Sequence, residues 1–280
     1  MTEHQLARPV EMNITCFRKI SDLAKSEAGL ILPDSKKTMV QSRLRNRMNE
    51  LNICDYEQYF EYVSGDAGAS ERKLMISALT TNVSHFFREQ HHFDSFLKDV
   101  LPDLATRAKS GQPIRIWSAG CSSGQEPYSI AMTILSHAPE IASLDALILA
   151  TDIDTKILEA AKSAKYSEQQ ISGIPEQYLN SFADKRTAGG YTMKEQVRRL
   201  VRFKELNLLR EWPMKGKFDA IFCRNVVIYF DTQTQSKLWP RFHEALRPNG
   251  WLYLGHSERI SDEHLKRFQT VGVTAYRKIQ

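Results

Sequence analysis

The turn Ala119-Gly120-Cys121-Ser122-Ser123-Gly124 carries residue types suited to holding a ligand. Small residues let a backbone approach a ligand closely, and the helix that follows offers free N–H groups at its amino end. The pattern is not G-x-G-x-x-G, and any tight strand-to-helix turn has a similar composition. Asp152, at the end of the next apolar run, adds weight: a carboxylate there can take two hydrogen bonds from vicinal ribose hydroxyls, as in dinucleotide folds. The competing role, capping the following helix, falls more naturally to Asp154. Glu126 opens the helix after the turn. There its charge suits a cationic ligand group or simply the helix dipole, the latter worth about 0.3–1 kcal/mol.

Two further stretches combine polar and aromatic groups. Cys223-Arg224-Asn225-Val226-Val227-Ile228-Tyr229-Phe230 follows an apolar run, at the kind of strand end where open α/β sheets bind ligands. Asn225 offers a donor and an acceptor. Tyr229 either presents its hydroxyl to a reacting centre or packs as an aromatic at the sheet edge. Thr80-Thr81-Asn82-Val83-Ser84-His85-Phe86-Phe87-Arg88-Glu89 is richer in hydrogen-bonding groups than a linker needs. Arg88 can grip a carboxylate bidentately, or be a solvated residue on a connecting helix.

The elements that must position these residues fall into two halves. Ile14, Phe17, Ile20 and Ala24 recur at helical spacing until Gly29 and Pro33 end the segment. Asp34 or Ser35 is then placed to cap a second helix with Val40, Leu44, Met48 and Leu51 on one face. Lys36, Arg43 and Arg47 fall within about 40° of one another beside that stripe. Tyr56–Val63 and Ala69–Leu79 predict two more helices. From Pro113 onward strands alternate with helices: Ile114–Ser118, Leu144–Ala150, Phe218–Cys223 and Trp251–Gly255 are apolar strands, with Val201–Leu206 and Val271–Arg277 completing the set. This grammar predicts a doubly wound α/β domain with a mostly parallel sheet. Residues 176–204, around Thr187-Ala188-Gly189-Gly190, break the alternation and read as an inserted hairpin subdomain. The expected division is a helical domain and linker over 1–88 and an α/β domain over 89–280, with the insertion inside the second.

Composition narrows the function. The 280 residues are 42% hydrophobic, enough for a real core. Lys plus Arg total 38 against 33 acids, a mild +5 and no concentrated footprint for nucleic acid. Cys16, Cys54, Cys121 and Cys223 lie far apart without CxxC or matching His spacing, so neither a disulfide framework nor a metal site is expected. The opening MTEHQLARPVEM lacks the layout of a signal peptide, and no apolar run approaches the roughly 18 residues needed to span a bilayer. A cytoplasmic protein without membrane insertion is expected.

Taken together, TTNVSHFFRE, WSAGCSSGQEPYSIAM, ATDIDTKIL, FDAIFCRNVVIYFD and LRPNGWLYLGHSE resemble, in this order, the chemotaxis receptor methyltransferase (CheR) family. The resemblance runs from the N-terminal helices to the final strand, and GQEPYSIA and CRNVVIYF are its specific parts. It implies an all-helical N-terminal domain joined to a class I S-adenosylmethionine-dependent methyltransferase fold, Rossmann-like, with a small inserted antiparallel β-subdomain. The implied activity is that of a protein-glutamate O-methyltransferase. It transfers the methyl group of S-adenosyl-L-methionine to glutamate side chains on the cytoplasmic helical domain of chemotaxis receptors, for adaptation, leaving methyl esters and S-adenosyl-L-homocysteine. On the family pattern Asn82, Ser84, Arg88, Glu126, Asp152, Asn207, Leu208, Arg224 and Asn225 map to the cofactor site. Asp152 would hold the ribose, Asn207-Leu208 border the adenine, and Glu126 lie by the methionine moiety. Arg88 and Tyr229 map beside the transferred methyl, as the catalytic pair.

Two stretches depart from the pattern: Gln125 stands where many members have a second Glu, and 185–200 differs from the enteric insertion that docks a receptor-tail tether. Lys36, Arg43 and Arg47 either recognise the receptor, their charge complementing its acidic helices, or form a solvated basic face, and a monomer is expected. A nucleic-acid methyltransferase is the rival on the same fold, but RNVVIYF lacks the Asp/Asn-Pro-Pro-aromatic pattern for methylating exocyclic amines. A non-catalytic cofactor sensor is the other rival, disfavoured by the presence of both Arg88 and Tyr229.

Overall fold

A computed structural model describes residues 11–279, so the leader reading of the opening stretch falls almost wholly outside the described residues. The chain divides into two compact units between Thr81 and Asn82. The division precedes the expected boundary at residue 88 for a local reason. Asn82 donates its side-chain amide to Asp154 Oδ2 at 2.7 Å, and its carbonyl accepts from Ser122 Oγ at 3.1 Å.

The helical unit contains α1 (Ile14–Ala28), α2 (Lys37–Glu50), α3 (Tyr56–Ser64) and α4 (Ala69–Leu79). Asn13 caps α1 by accepting from Cys16 N, Gly29 ends it at φ 71°, and Phe17, Ile20 and Ala24 are buried as the periodicity predicts, whereas Ile14 is exposed and Cys16 is buried instead. Asp55 caps α3 in the same way. The expected cap on the second helix is absent: Asp34–Lys36 form a short 3₁₀ turn, and Asp34 pairs with Arg18 at 2.9 Å.

The basic edge expected on this helix does not form. Arg47 is buried, with Nε 3.0 Å from Glu71 Oε1 and Nη2 2.6 Å from Glu71 Oε2, and it also pairs with Glu50. Tyr59 donates its hydroxyl to Glu71 Oε1 at 2.9 Å. Arg47 is therefore internal, its guanidinium turned to Glu71 and Glu50. Half-buried Arg43 points its Nη1 at the carbonyls closing α4, those of Ala78, Leu79 and Thr80, at 3.3, 3.1 and 2.6 Å. Of the three residues only Lys36 is exposed.

The second unit runs α5 (His91–Ser95), a π-helical stretch Phe96–Val100, α6 (Leu101–Lys109), β1 (Ile114–Ala119), α7 (Gln125–His137), β2 (Ala146–Asp152), α8 (Thr155–Ser163), β3 (Lys165–Tyr166), α9 (Glu176–Phe182), β4 (Ala183–Lys185), β5 (Tyr191–Met193), α10 (Glu195–Arg198), β6 (Val201–Glu205), β7 (Phe218–Cys223), α11 (Thr232–Ala245), β8 (Leu246–Leu254), α12 (Asp262–Leu265), β9 (Phe268–Gly272) and β10 (Ala275–Lys278). The main sheet has the order β6-β2-β1-β7-β8-β10-β9. Its first five strands pair in parallel and the last two antiparallel. Alternate side chains of one strand enter opposite apolar layers: Ile114 and Ile116 one, Trp117 and Ala119 the other. The order reverses between β1 and β7, which opens a crevice at their carboxyl ends.

Two expectations need correction. Val271–Arg277 is not one strand but parts of β9 and β10, separated by Val273 and left-handed Thr274 (φ 50°). The inserted sheet is antiparallel, in the order β3-β5-β4, whereas β6 pairs with β2 in the main sheet.

Candidate active site

Of the predicted site residues, Glu126, Asp152, Asn207, Leu208, Arg224 and Asn225 close or follow β1, β2, β6 and β7 at their carboxyl ends. Asp152 closes β2 and is 8% exposed. Its Oδ2 accepts from Ser122 N at 2.8 Å and its Oδ1 from Asp154 N at 3.0 Å. Each carboxylate oxygen has two lone pairs, so both retain capacity for a ligand hydroxyl. Burial raises its pKa, opposed by these amides. Asp154 takes the cap, its Oδ1 accepting from Lys156 N at 2.9 Å and Ile157 N at 3.2 Å. Asn207 and Leu208 follow β6 close to this strand end, since Leu206 N donates to Asp152 O at 2.9 Å. Asn207 Oδ1 accepts from Leu209 N at 2.9 Å, and Leu208 is buried.

Gly120 shows why the turn needs small residues. Its φ is 79°, and an added Cβ would lie 2.3 Å from Val226 Cγ2. The turns after β1 and β7 are thus pressed together.

A second cluster centres on Arg224, just past β7 and 6% exposed. Its Nη1 donates to Glu126 Oε2 at 3.0 Å, its Nη2 lies 3.3 Å from Glu89 Oε2, and Nη2 also bonds the Arg88 carbonyl. Glu126 Oε1 accepts from Ser118 Oγ at 2.7 Å. Burial raises the pKa of Glu126, with Arg224 and Ser118 opposing. Burial acts on Glu89 in the same sense, but the charge of Arg224 and hydrogen bonds from His256 and Asn225 hold it down at about 2. Two carboxylates thus face one guanidinium, and His256 Nδ1 lies 3.0 Å from Glu89 Oε1. The cluster therefore favours a cationic ligand group.

Arg88 is half-buried, with Nη1 3.2 Å from Val83 O, and Ser84 is half-buried on the same segment. Asn225 is left-handed (φ 58°) and its Nδ2 reaches Glu89 Oε1 at 3.4 Å. Tyr229 is half-buried at the end of the 3₁₀ turn Val227–Tyr229. Lys36, Arg43 and Arg47 belong to the other compact unit and are not among these residues.

Ser118, Glu89 and Glu258 were not singled out by sequence reasoning. Glu89 directly follows Arg88, and Glu258 closes the GHSE of the last quoted motif, so proximity to a motif was their available signal. Glu89, His91 and His92 also bring ligand-type atoms within 4.8 Å of one another.

The residues present fit S-adenosylmethionine, with a carboxylate for vicinal hydroxyls at one strand end and an excess of negative charge for an ammonium group at the next. This fold and site define a class I S-adenosylmethionine-dependent methyltransferase. Residues 82–277 match the family profile described as "CheR methyltransferase, SAM binding domain", and residues 16–80 match "CheR methyltransferase, all-alpha domain". The chain belongs to the CheR methyltransferase family. It is 48% identical over 255 residues to the "Probable chemotaxis protein methyltransferase" of Rhizobium etli, covering 90% of this chain and 95% of that one. It is 39% identical over 280 residues to the "Chemotaxis protein methyltransferase" of Escherichia coli K12, covering 97% and 93%. A Vibrio cholerae "Chemotaxis protein methyltransferase 2" is 38% identical over 261 residues, covering 91% and 90%. No helix among the described residues is long and apolar enough to cross a membrane.

Proposed function

We propose that this methyltransferase esterifies glutamate side chains on the cytoplasmic helical domain of chemotaxis receptors, acting as a cytoplasmic monomer in sensory adaptation. The observation that supports this reading is the pairing of Asp152 with the Glu126–Arg224–Glu89 cluster at adjoining strand ends. Asp152 would hold the ribose hydroxyls, Glu126 the methionine ammonium, and Asn207-Leu208 the adenine edge, with Asn82, Ser84 and Asn225 lining the same site. Bound S-adenosylmethionine supplies an electrophilic methyl on a sulfonium. The accepting glutamate has a reference pKa near 4.3 and is already an anion at neutral pH, so no residue has to withdraw a proton.

The protein's part is alignment and exclusion of water. Tyr229 would orient the accepting oxygen through its hydroxyl. Arg88 would orient cofactor or substrate without binding the nucleophile so tightly that its ground state is stabilised. Losing one hydrogen bond to a charged group, about 1.5–3 kcal/mol, predicts that Arg88→Ala lowers methylation roughly 10- to 150-fold.

The deciding experiment offers methyl-labelled cofactor together with a receptor helical fragment and, separately, RNA. A base-labile label on the receptor fragment is expected, because a glutamyl methyl ester releases methanol in alkali. A base-stable label, or label on RNA alone, would overturn the reading.

A further inference from the structure

Glu258 does something its sequence position does not announce. It is 3% exposed, and its carboxylate accepts four main-chain hydrogen bonds. Oε2 takes Gly255 N at 2.6 Å and Asn225 N at 2.9 Å; Oε1 takes Val226 N at 2.8 Å and Ile228 N at 3.2 Å. The amides come from two turns, one after β8 and one after β7, so this one side chain ties both strand ends together.

Gly255 makes the insertion possible. A Cβ there would lie 2.5 Å from Asn225 Nδ2, 2.7 Å from Asn225 N and 2.8 Å from Glu258 Oε2. The Glu258 amide closes the loop by donating to Gly255 O at 2.9 Å. Converging N–H groups of this kind form a cradle for an anion, here filled from within the chain. The cradled backbone is also a demanding one. Asn225 sits at φ 58°, a left-handed conformation that few residues other than Gly, Asn and Asp adopt readily.

We propose that Glu258 is a positioning residue for methyl transfer, its buried carboxylate setting the 225–229 turn so that Asn225 and Tyr229 face the reacting groups. The inference rests on the reading of those two residues given under the proposed function. Four main-chain amides occupy the Glu258 carboxylate. It acts through the turn.

The test is a double-mutant cycle with Tyr229 on receptor methylation at saturating S-adenosylmethionine. Glu258→Gln keeps the shape but turns one acceptor into a donor facing two amides. With the protein still folded at the assay temperature by circular dichroism, kcat is expected to fall about 10- to 100-fold. In the Tyr229→Phe background the same change is expected to cost less than about threefold, because the residue it positions is already disabled. A residue that only stabilises the fold would lower the melting temperature and leave kcat of the folded protein alone. Parental kcat in Glu258→Gln, or an equal loss in both backgrounds, overturns the proposal. Tyr229→Phe measured alone reads the underlying assignment separately: parental turnover there removes Tyr229 from the site. Should Glu258→Gln fail to fold, Gly255→Ala presses the same turn from its other side. A comparable loss of kcat supports the proposal, and parental kcat refutes it.

Discussion

Two buried arginines, one in each compact unit, sit between pairs of carboxylates and differ in how completely they are satisfied. Arg47 bonds Glu71 twice and pairs with Glu50, while Tyr59 fills out Glu71. No atom of that group is among the buried polar atoms without a hydrogen-bond partner, whereas Arg224 Nε, Glu89 Oε2 and the neighbouring His92 Nδ1 all are. Glu89 Oε2 lies 3.3 Å from Arg224 and 3.5 Å from His92 without hydrogen-bond geometry to either. A closed cluster of charges fastens helices. An open one, at the switch point of a parallel sheet, is where ligand recognition is expected.

The largest effect is expected at Arg47. Arg47→Met leaves Glu71 buried without its cation, and chemical denaturation should show a loss of about 3–5 kcal/mol. Adding Glu71→Leu should recover most of it, since an apolar pair of similar volume is tolerated there. Unchanged stability with weakened receptor methylation would mean that Arg47 serves recognition after all.

At the open end, Asp152→Asn should weaken binding of S-adenosylhomocysteine by about 1.5–3 kcal/mol, a factor of roughly 10–150. Its unfolding midpoint should fall modestly as well, because the new amide nitrogen faces the N–H of Ser122 or of Asp154. A large loss of stability at unchanged affinity would make Asp152 another fastener.

Acid separates the two behaviours within the site itself. Asp152 and Glu126 have folded pKa values above their ordinary 3.8 and 4.5. As pH falls through those raised values the folded form takes up protons first. Their contribution to stability therefore rises while the charge that holds the ligand is lost. Glu89, held at about 2 against an ordinary 4.5, works in the opposite sense: its contribution is full above 4.5 and is lost as pH falls from there toward 2. Calorimetry and circular dichroism between pH 7 and pH 3, a span of about four units around these carboxylates, should show affinity falling before the fold does. Simultaneous loss would contradict the assignment.

The smallest effect is at Arg43. Removing its bonds to the carbonyls at the end of α4 should cost about 1 kcal/mol in Arg43→Ala and leave receptor methylation at the parental rate. A salt-dependent fall in methylation would restore the basic edge that the helix pattern predicted.

These cases also show what a sequence can display. The strand–turn–helix from Ile114 to Tyr128 and the cap at Asp154 were legible because local spacing determines them. The fate of Arg47 was not: Glu71 lies 24 residues away, and only the packing of α2 against α4 brings them together. Val271–Arg277 read as one strand because its turn uses Val273 and Thr274, which carry no Gly or Pro signal. Glu258 was hidden for a different reason. Its partners are main-chain amides, which every residue type but proline supplies, so nothing in their sequence marks the contact.

The claim on which the rest stands is that the open cluster recognises the cofactor's amino-acid end. Titrating S-adenosylhomocysteine into parent and Glu126→Gln by calorimetry at neutral pH tests it most directly. Saturable binding to the parent, weakened roughly tenfold or more in the variant at a similar unfolding midpoint, is the predicted result. Equal affinity in the two proteins, or no uptake by the parent, would contradict it.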